Sequence, residues 1–191
     1  MDLISEPLPG VKVLRPVIFE DNRGCFVKTF HEGQLAAFGI HFSIREEFFS
    51  TSAENVLRGM HFQLPPHAHQ KLIYCIQGRV MDVLLDIRKM SKTFGKVATI
   101  NLSSTNQHLV YVPIGVAHGF LSLENGSSLV YKTDSAHVPN YDTGIRWNSF
   151  GFYCGVADPI VSARDAAFPA MVDFSTPFVD FQNPLSHFRT P

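Results

Sequence analysis

Met81-Asp82-Val83-Leu84-Leu85-Asp86-Ile87 places apolar side chains at 81, 83, 85 and 87 and acids at 82 and 86. A period of two predicts a β-strand with one buried face. Gln77-Gly78 marks a turn before it, after the apolar run Leu72-Ile73-Tyr74-Cys75-Ile76. Further strand-like runs cover residues 97–102, 109–112, 118–123 and 128–133, with turn residues at Ser103-Ser104-Thr105-Asn106 and Pro113-Ile114-Gly115. Asn125-Gly126 between two such runs is a hairpin signal. A two-residue loop there would set Phe120 opposite Tyr131 and His118 opposite Thr133, with His118, Phe120 and Tyr131 on one sheet face. Helical periodicity is scarce, with one short candidate over residues 32–38. Many short strands without alternating helices predict an all-β jelly-roll sandwich or barrel. The tail beyond about residue 150 is irregular, rich in Pro and Phe, and is expected to wrap the barrel or a partner.

The 191 residues are 45% hydrophobic and 17% charged, which suits one well-buried domain over residues 1–191. The formal net charge of -1 lacks the basic excess of a general nucleic-acid or membrane binder, so neither partner is expected. Cys25, Cys75 and Cys154 form no CxxC pair and read as reduced thiols. The first residues lack a signal-peptide pattern, and no apolar run is long enough to cross a bilayer. These features predict a cytoplasmic protein.

Val56-Leu57-Arg58-Gly59-Met60-His61-Phe62-Gln63 reads as an apolar strand that carries an arginine and a histidine at its centre. Burying either group unpaired is costly, so an anionic ligand and a carboxylate are the expected partners. Strict alternation sets Arg58 and His61 on opposite faces; a bulge at Gly59 would reset the parity. His67-Ala68-His69 with His118 resembles a metal-binding set, but Gln70-Lys71 follows it with no acid. A protonated lysine repels a metal, so no metal site and no cofactor are expected. A base, a phenol and cations on one small barrel, here His61, Tyr131, Arg58 and Lys71, suit proton abstraction beside a carbonyl.

Val56 to Gln63, together with Pro65-Pro66-His67-Ala68, Lys71-Leu72, Gly115-Val116-Ala117-His118-Gly119-Phe120, Val130-Tyr131-Lys132-Thr133 and Gly144-Ile145-Arg146-Trp147, resembles the dTDP-4-dehydrorhamnose 3,5-epimerases. Asp21-Asn22-Arg23-Gly24 and Ser162-Ala163-Arg164-Asp165 match the family's early and late motifs, and the likeness runs over about residues 16–168. The resemblance implies a metal-free cupin-type jelly roll with short peripheral helices, usually a homodimer with exchanged N-terminal strands. It implies an isomerase of deoxysugar biosynthesis, of the kind that feeds lipopolysaccharide O-antigen or glycoside assembly. The expected substrate is a nucleotide-diphosphate 4-keto-6-deoxy sugar, inverted at C3, C5 or both.

By family role His61 is the general base, Asp165 its orienting partner, Lys71 the stabiliser of the C4 enolate, and Tyr131 the acid on the opposite face. Substrate contacts carried over are Arg23, Phe26, Lys28, Glu46, Phe48, Arg58, Gln63, His118, His137 and Asp142. Several of these depart from the family pattern. Lys28 stands for Glu, Glu46 and Phe48 for Gln and Asn, His137 for a thymine-stacking Tyr, and Asp142 for Glu. The departures leave a CDP- or GDP-linked sugar as an alternative substrate. A metal-dependent cupin and a non-catalytic sugar binder are the other classes.

Overall fold

The strand Arg79–Asp86 is covered on both faces by apolar neighbours. The computed structural model describes residues 1–179. In chain order its strands are β1 (Asp2–Ser5), β2 (Lys12–Arg15), β3 (Val17–Asp21), β4 (Gly24–Lys28), β5 (Glu46–Ser52), β6 (Leu57–Gln63), β7 (Lys71–Gln77), β8 (Arg79–Asp86), β9 (Val97–Ser103), β10 (Leu109–Val112), β11 (Val116–Ser122), β12 (Ser127–Thr133) and β13 (Asp142–Gly144). Helix α1 (Glu32–Ala36) precedes β5, and α2 (Ala163–Ala166) follows β13. The short helix expected over 32–38 is therefore present, capped by His31 Nδ1 accepting from the Gln34 N–H.

Two antiparallel sheets face each other, ordered β1-β2-β10-β7-β12-β5 and β13-β6-β11-β8-β9, as the jelly-roll reading requires. β3 and β4 pair only with each other. Val13, Ile73, Leu129 and Tyr131 from one sheet meet Val80, Leu84, Val116 and Phe120 from the other in the inter-sheet core. The outer face of the β8 sheet buries Val83, Leu85 and Ile87 beneath Phe174 and Phe178 of the C-terminal segment, whose rings lie 5.3 and 5.8 Å from that of Phe62. The tail wraps the barrel over this stretch; its remainder lies outside the described residues. No helix among the described residues is long and apolar enough to cross a membrane.

Two sequence expectations fail. β8 has two buried faces, not one, since Asp82 and Asp86 are fully buried as well. Each acid has a cation or imidazole to meet it: Asp86 Oδ2 lies 2.7 Å from Arg88 Nη2, and Asp82 Oδ1 lies 2.6 Å from His118 Nε2. The Asn125-Gly126 hairpin also does not form a two-stranded ladder. β11 pairs with β6 and β8, whereas β12 pairs with β5 and β7. The turn carries the chain from one sheet to the other. His118 and Tyr131 still come together, at 5.9 Å between ring centroids, but across the sandwich and not along one sheet.

The bulge at Gly59 is present. Pairing runs His118 to His61 and Phe120 to Arg58, so Gly59 and Met60 oppose the single residue Gly119. Gly59 has φ +130°, and an added Cβ would lie 2.5 Å from Gly119 Cα and 3.0 Å from His118 O. Both the backbone conformation and the close strand approach require glycine. Gly59→Ala is expected to cost about 2 kcal/mol or more in urea unfolding, the scale of a strained non-glycine backbone with a steric clash. A variant as stable as the parent would contradict that account of the bulge.

Candidate active site

A pocket of about 380 Å³ opens between the two sheets. β6 and β11 furnish Arg58, His61 and His118 on one wall; β5, β7 and β12 furnish Glu46, Phe48, Ser50, Lys71, Tyr131 and Thr133 on the other. His137, Asp142 and Arg164 form the rim. The bulge brings Arg58 and His61 to the same side. Arg58 is exposed to the opening, with its Nε donating to Ser52 Oγ at 3.1 Å, so no guanidinium is buried here.

His61 Nε2 lies 2.9 Å from Asp165 Oδ1. Asp165 is buried; its Oδ2 accepts from the Gly59 N–H at 3.0 Å, and Ser162 caps its helix by accepting from the Asp165 N–H. Burial raises the Asp165 pKa, but the His61 ring and the two N–H and hydroxyl contacts together hold it below the usual carboxylate value. An ionised carboxylate on Nε2 fixes the ring and leaves Nδ1 as the lone-pair nitrogen.

Lys71 is buried at the pocket floor, and its Nζ donates to the His61 carbonyl at 3.0 Å. Desolvation lowers its pKa to about 8, against the pull of Asp142 and Asp82. Tyr131 is buried beneath Phe48, whose ring stacks on it at 4.8 Å, and its hydroxyl lies 3.3 Å from Ser50 Oγ. Burial pushes the Tyr131 phenol well above its ordinary pKa, so it stays protonated and able to donate. Burial lowers the His118 pKa despite the nearby Asp82, whose second oxygen meets no partner among the described residues.

At the rim, Asp142 Oδ2 lies 3.1 Å from His137 Nε2 and accepts from Arg164 Nη2 at 2.6 Å; Glu46 Oε2 accepts from the His137 N–H at 2.6 Å. Gln63 does not reach the pocket lining. It is buried behind it, where Oε1 accepts from the Val138 N–H and Nε2 donates to the His67 carbonyl. Arg23, Phe26 and Lys28 lie on the exposed β3–β4 hairpin outside this chain's pocket, and Arg23 is paired with Asp21 at 2.5 Å. His67 packs on Tyr141, its ring 4.5 Å away, and no group of three or more His, Cys, Asp or Glu among the described residues is arranged to hold a metal.

Sequence reasoning gave no role to Asp82, Ser50 or Arg164. Asp82 had a signal, an acid inside an apolar strand, that was read as solvent-facing parity. Ser50 had none, because its place depends on pairing across to β12. Lys71 also gives a pH-dependent stability. Its folded pKa of about 8 lies below its ordinary 10.5, so its contribution is fully present above pH 10.5 and is lost as pH falls through about 8. Lys71→Met is therefore expected to be more stable than the parent at pH 7, by denaturant unfolding, with the gap closing as pH rises from about 8 towards 10.5. A gap independent of pH would mean that the ammonium is not desolvated.

The family model for dTDP-4-dehydrorhamnose 3,5-epimerase matches residues 5–173. The dTDP-4-dehydrorhamnose 3,5-epimerase of Shigella flexneri is 37% identical over 176 residues, 91% of this chain and 97% of that protein. The Escherichia coli enzyme of the same name is 39% identical over 149 residues, 78% of this chain and 80% of its own. The crystal structure of the Bacillus anthracis enzyme, with TDP and PPi bound, superposes with a TM-score of 0.86 at 35% identity, covering 88% of this chain and 98% of that one. The Legionella pneumophila enzyme in complex with dTDP-4-keto-L-rhamnose gives 0.86 at 29% identity, covering 91% and 94%. With the jelly roll and a pocket holding histidine, lysine and tyrosine already in view, these likenesses make the chain a member of the dTDP-4-dehydrorhamnose 3,5-epimerase family, an isomerase with the cupin-like fold.

Proposed function

We propose that this chain inverts C3, C5 or both of a dTDP-linked 4-keto-6-deoxy sugar, with His61 as base and Tyr131 as acid. The observation that carries the reading is their placement on different sheets, His61 on β6 and Tyr131 on β12, across one pocket. Inversion requires removal of a proton from one face and its return to the other. The C4 ketone acidifies the neighbouring C–H bonds. His61 takes the proton, Asp165 balances the imidazolium, and the Lys71 ammonium meets the charge that develops on the C4 oxygen. Tyr131 then gives its proton to the opposite face of the same carbon. Arg58 at the open end suits a diphosphate oxygen, which arginine's planar fork can meet bidentately.

The relatives with bound TDP and dTDP-4-keto-L-rhamnose support the choice of dTDP. The rim is this chain's own, with His137 engaged by Asp142 and Glu46. Its unpaired cysteines suit a reducing cytoplasm.

The protein acts as a homodimer in this reading. β1 and β2 are already seated on their own sheet through β10, which leaves β3–β4 as the segment to exchange. That hairpin exposes Phe19 and Phe26, and would carry Arg23, Phe26 and Lys28 to the partner's pocket.

In deuterium oxide, the 4-keto sugar should gain label at C3, C5 or both by NMR. His61→Ala should reduce exchange by about 10² or more while leaving dTDP affinity within about twofold by calorimetry. Absence of exchange with dTDP-, CDP- and GDP-linked 4-keto sugars alike would remove the epimerase reading. Tight binding of CDP or GDP over dTDP would move the substrate to that base. Phe26→Asp should shift the sedimenting species from dimer to monomer and raise KM; an unchanged monomeric species in the parent would defeat the exchange.

A further inference from the structure

Phe48 lines the pocket and has no part in the chemistry above. It sits on β5, the edge strand of its sheet, directly opposite Tyr131 in the β5–β12 ladder. The two rings lie 4.8 Å apart between centroids and within 14° of parallel. Phe48 is 45% exposed, whereas Tyr131 is buried. Cross-strand aromatic pairs of this kind restrain both rings.

Tyr131 depends on such restraint. Among the described residues its hydroxyl meets Ser50 Oγ at 3.3 Å, longer than an ordinary O–H···O bond, so this contact does little to hold the ring. Packing must hold it instead, and two rings do so. His118 stands at 73° to it with centroids 5.9 Å apart, and is itself tied to Asp82 at 2.6 Å. Phe48 lies nearly parallel to it.

An inverting enzyme needs a firm acid for a kinetic reason. Once His61 has taken the proton, the enolate carbon can be reprotonated from either face. Tyr131 gives inversion; the His61 imidazolium restores the starting configuration. The His61 side chain is 29% exposed, so a captured proton can exchange with water before it returns. Moving the acid by about 1 Å slows its transfer by about 10²-fold and leaves the return from His61 untouched.

We propose that Phe48 is a positioning residue for the acid: its stacked ring holds the Tyr131 hydroxyl in line with the reacting carbon, and so sets how often the enolate is inverted rather than returned. The inference rests on the epimerase reading. Phe48 stands where the family pattern has Asn, and its ring is engaged with the acid. The departure at this position therefore bears on the outcome of the reaction and not on the choice of nucleotide.

The test compares Phe48→Leu and Phe48→Tyr with the parent, using the dTDP-linked 4-keto sugar in deuterium oxide. A borohydride quench lets label and configuration at C3 and C5 be read on the same molecules. Phe48→Leu should lower kcat for inversion by about tenfold, the scale of one lost aromatic pair, and raise the ratio of exchange to inversion by about as much. Phe48→Tyr, which keeps a stacking ring, should bring that ratio within about twofold of the parent. A merely structural loss would lower exchange and inversion together and leave the ratio unchanged. The parent should also give nuclear Overhauser contacts between the Phe48 and Tyr131 rings, a result that does not depend on the leucine variant folding. An unchanged ratio in Phe48→Leu, a loss confined to KM, or absence of the ring contacts would each overturn the proposal. A parent that exchanges no deuterium would instead remove the epimerase reading beneath it.

Discussion

The Asp165 carboxylate holds the site together by bridging the bulge in β6. One oxygen takes the Gly59 N–H and the other takes the His61 ring. Gly59 departs from the regular ladder so that Arg58 and His61 can both turn to the pocket, and its amide would be a buried orphan without Asp165. The same carboxylate that orients the His61 ring also satisfies the backbone at the irregularity that presents it. Ser162 and the first turn of α2 hold Asp165 in place, so a short peripheral helix takes part in setting the tautomer of a strand histidine.

Charge is distributed unevenly around the cavity. The buried walls carry Lys71 and two histidines whose pKa values lie below the ordinary range, His69 and His118. The buried acids Asp82 and Asp165 each face an imidazole. The open rim mixes Glu46, Asp142, His137 and Arg164. The Lys71 ammonium, beside imidazoles whose charged form burial disfavours, concentrates positive potential at one point. That suits a reaction in which negative charge develops on one oxygen.

Much of this was legible in the chain. Strand positions followed from period-two patterning, and the motif order singled out His61, Lys71 and Tyr131, which line one pocket, and Asp165, which meets the His61 ring. Alternation alone even flagged the conflict between Arg58 and His61 and located its remedy at Gly59. What alternation could not show was which sheet a strand joins. The Asn125-Gly126 turn has hairpin chemistry, yet β11 and β12 part to opposite sheets, because each finds other apolar neighbours to cover its faces. The meeting of His118 and Tyr131 was foreseen on the wrong geometry. Asp82 was misread for the same reason, since parity separates two faces but does not say that one of them is wet. Gln63 stands with them: its motif position suggested substrate, while its contacts make it the clamp between the 67–69 and 136–138 segments.

His61 and Tyr131 sit on separate sheets, and the apolar side chains between those sheets help to set their separation. Val80, Leu84, Phe120 and Leu129 act in this respect as shims. A methylene added or removed far below the pocket would tilt one sheet against the other and change the gap that a sugar ring must fill. Proton transfer tolerates little such error. Ordinary aliphatic residues, with no chemistry of their own, thereby become the ruler for the reaction. Drift among them could alter which ring carbon is presented to His61 without changing a single polar group in the site.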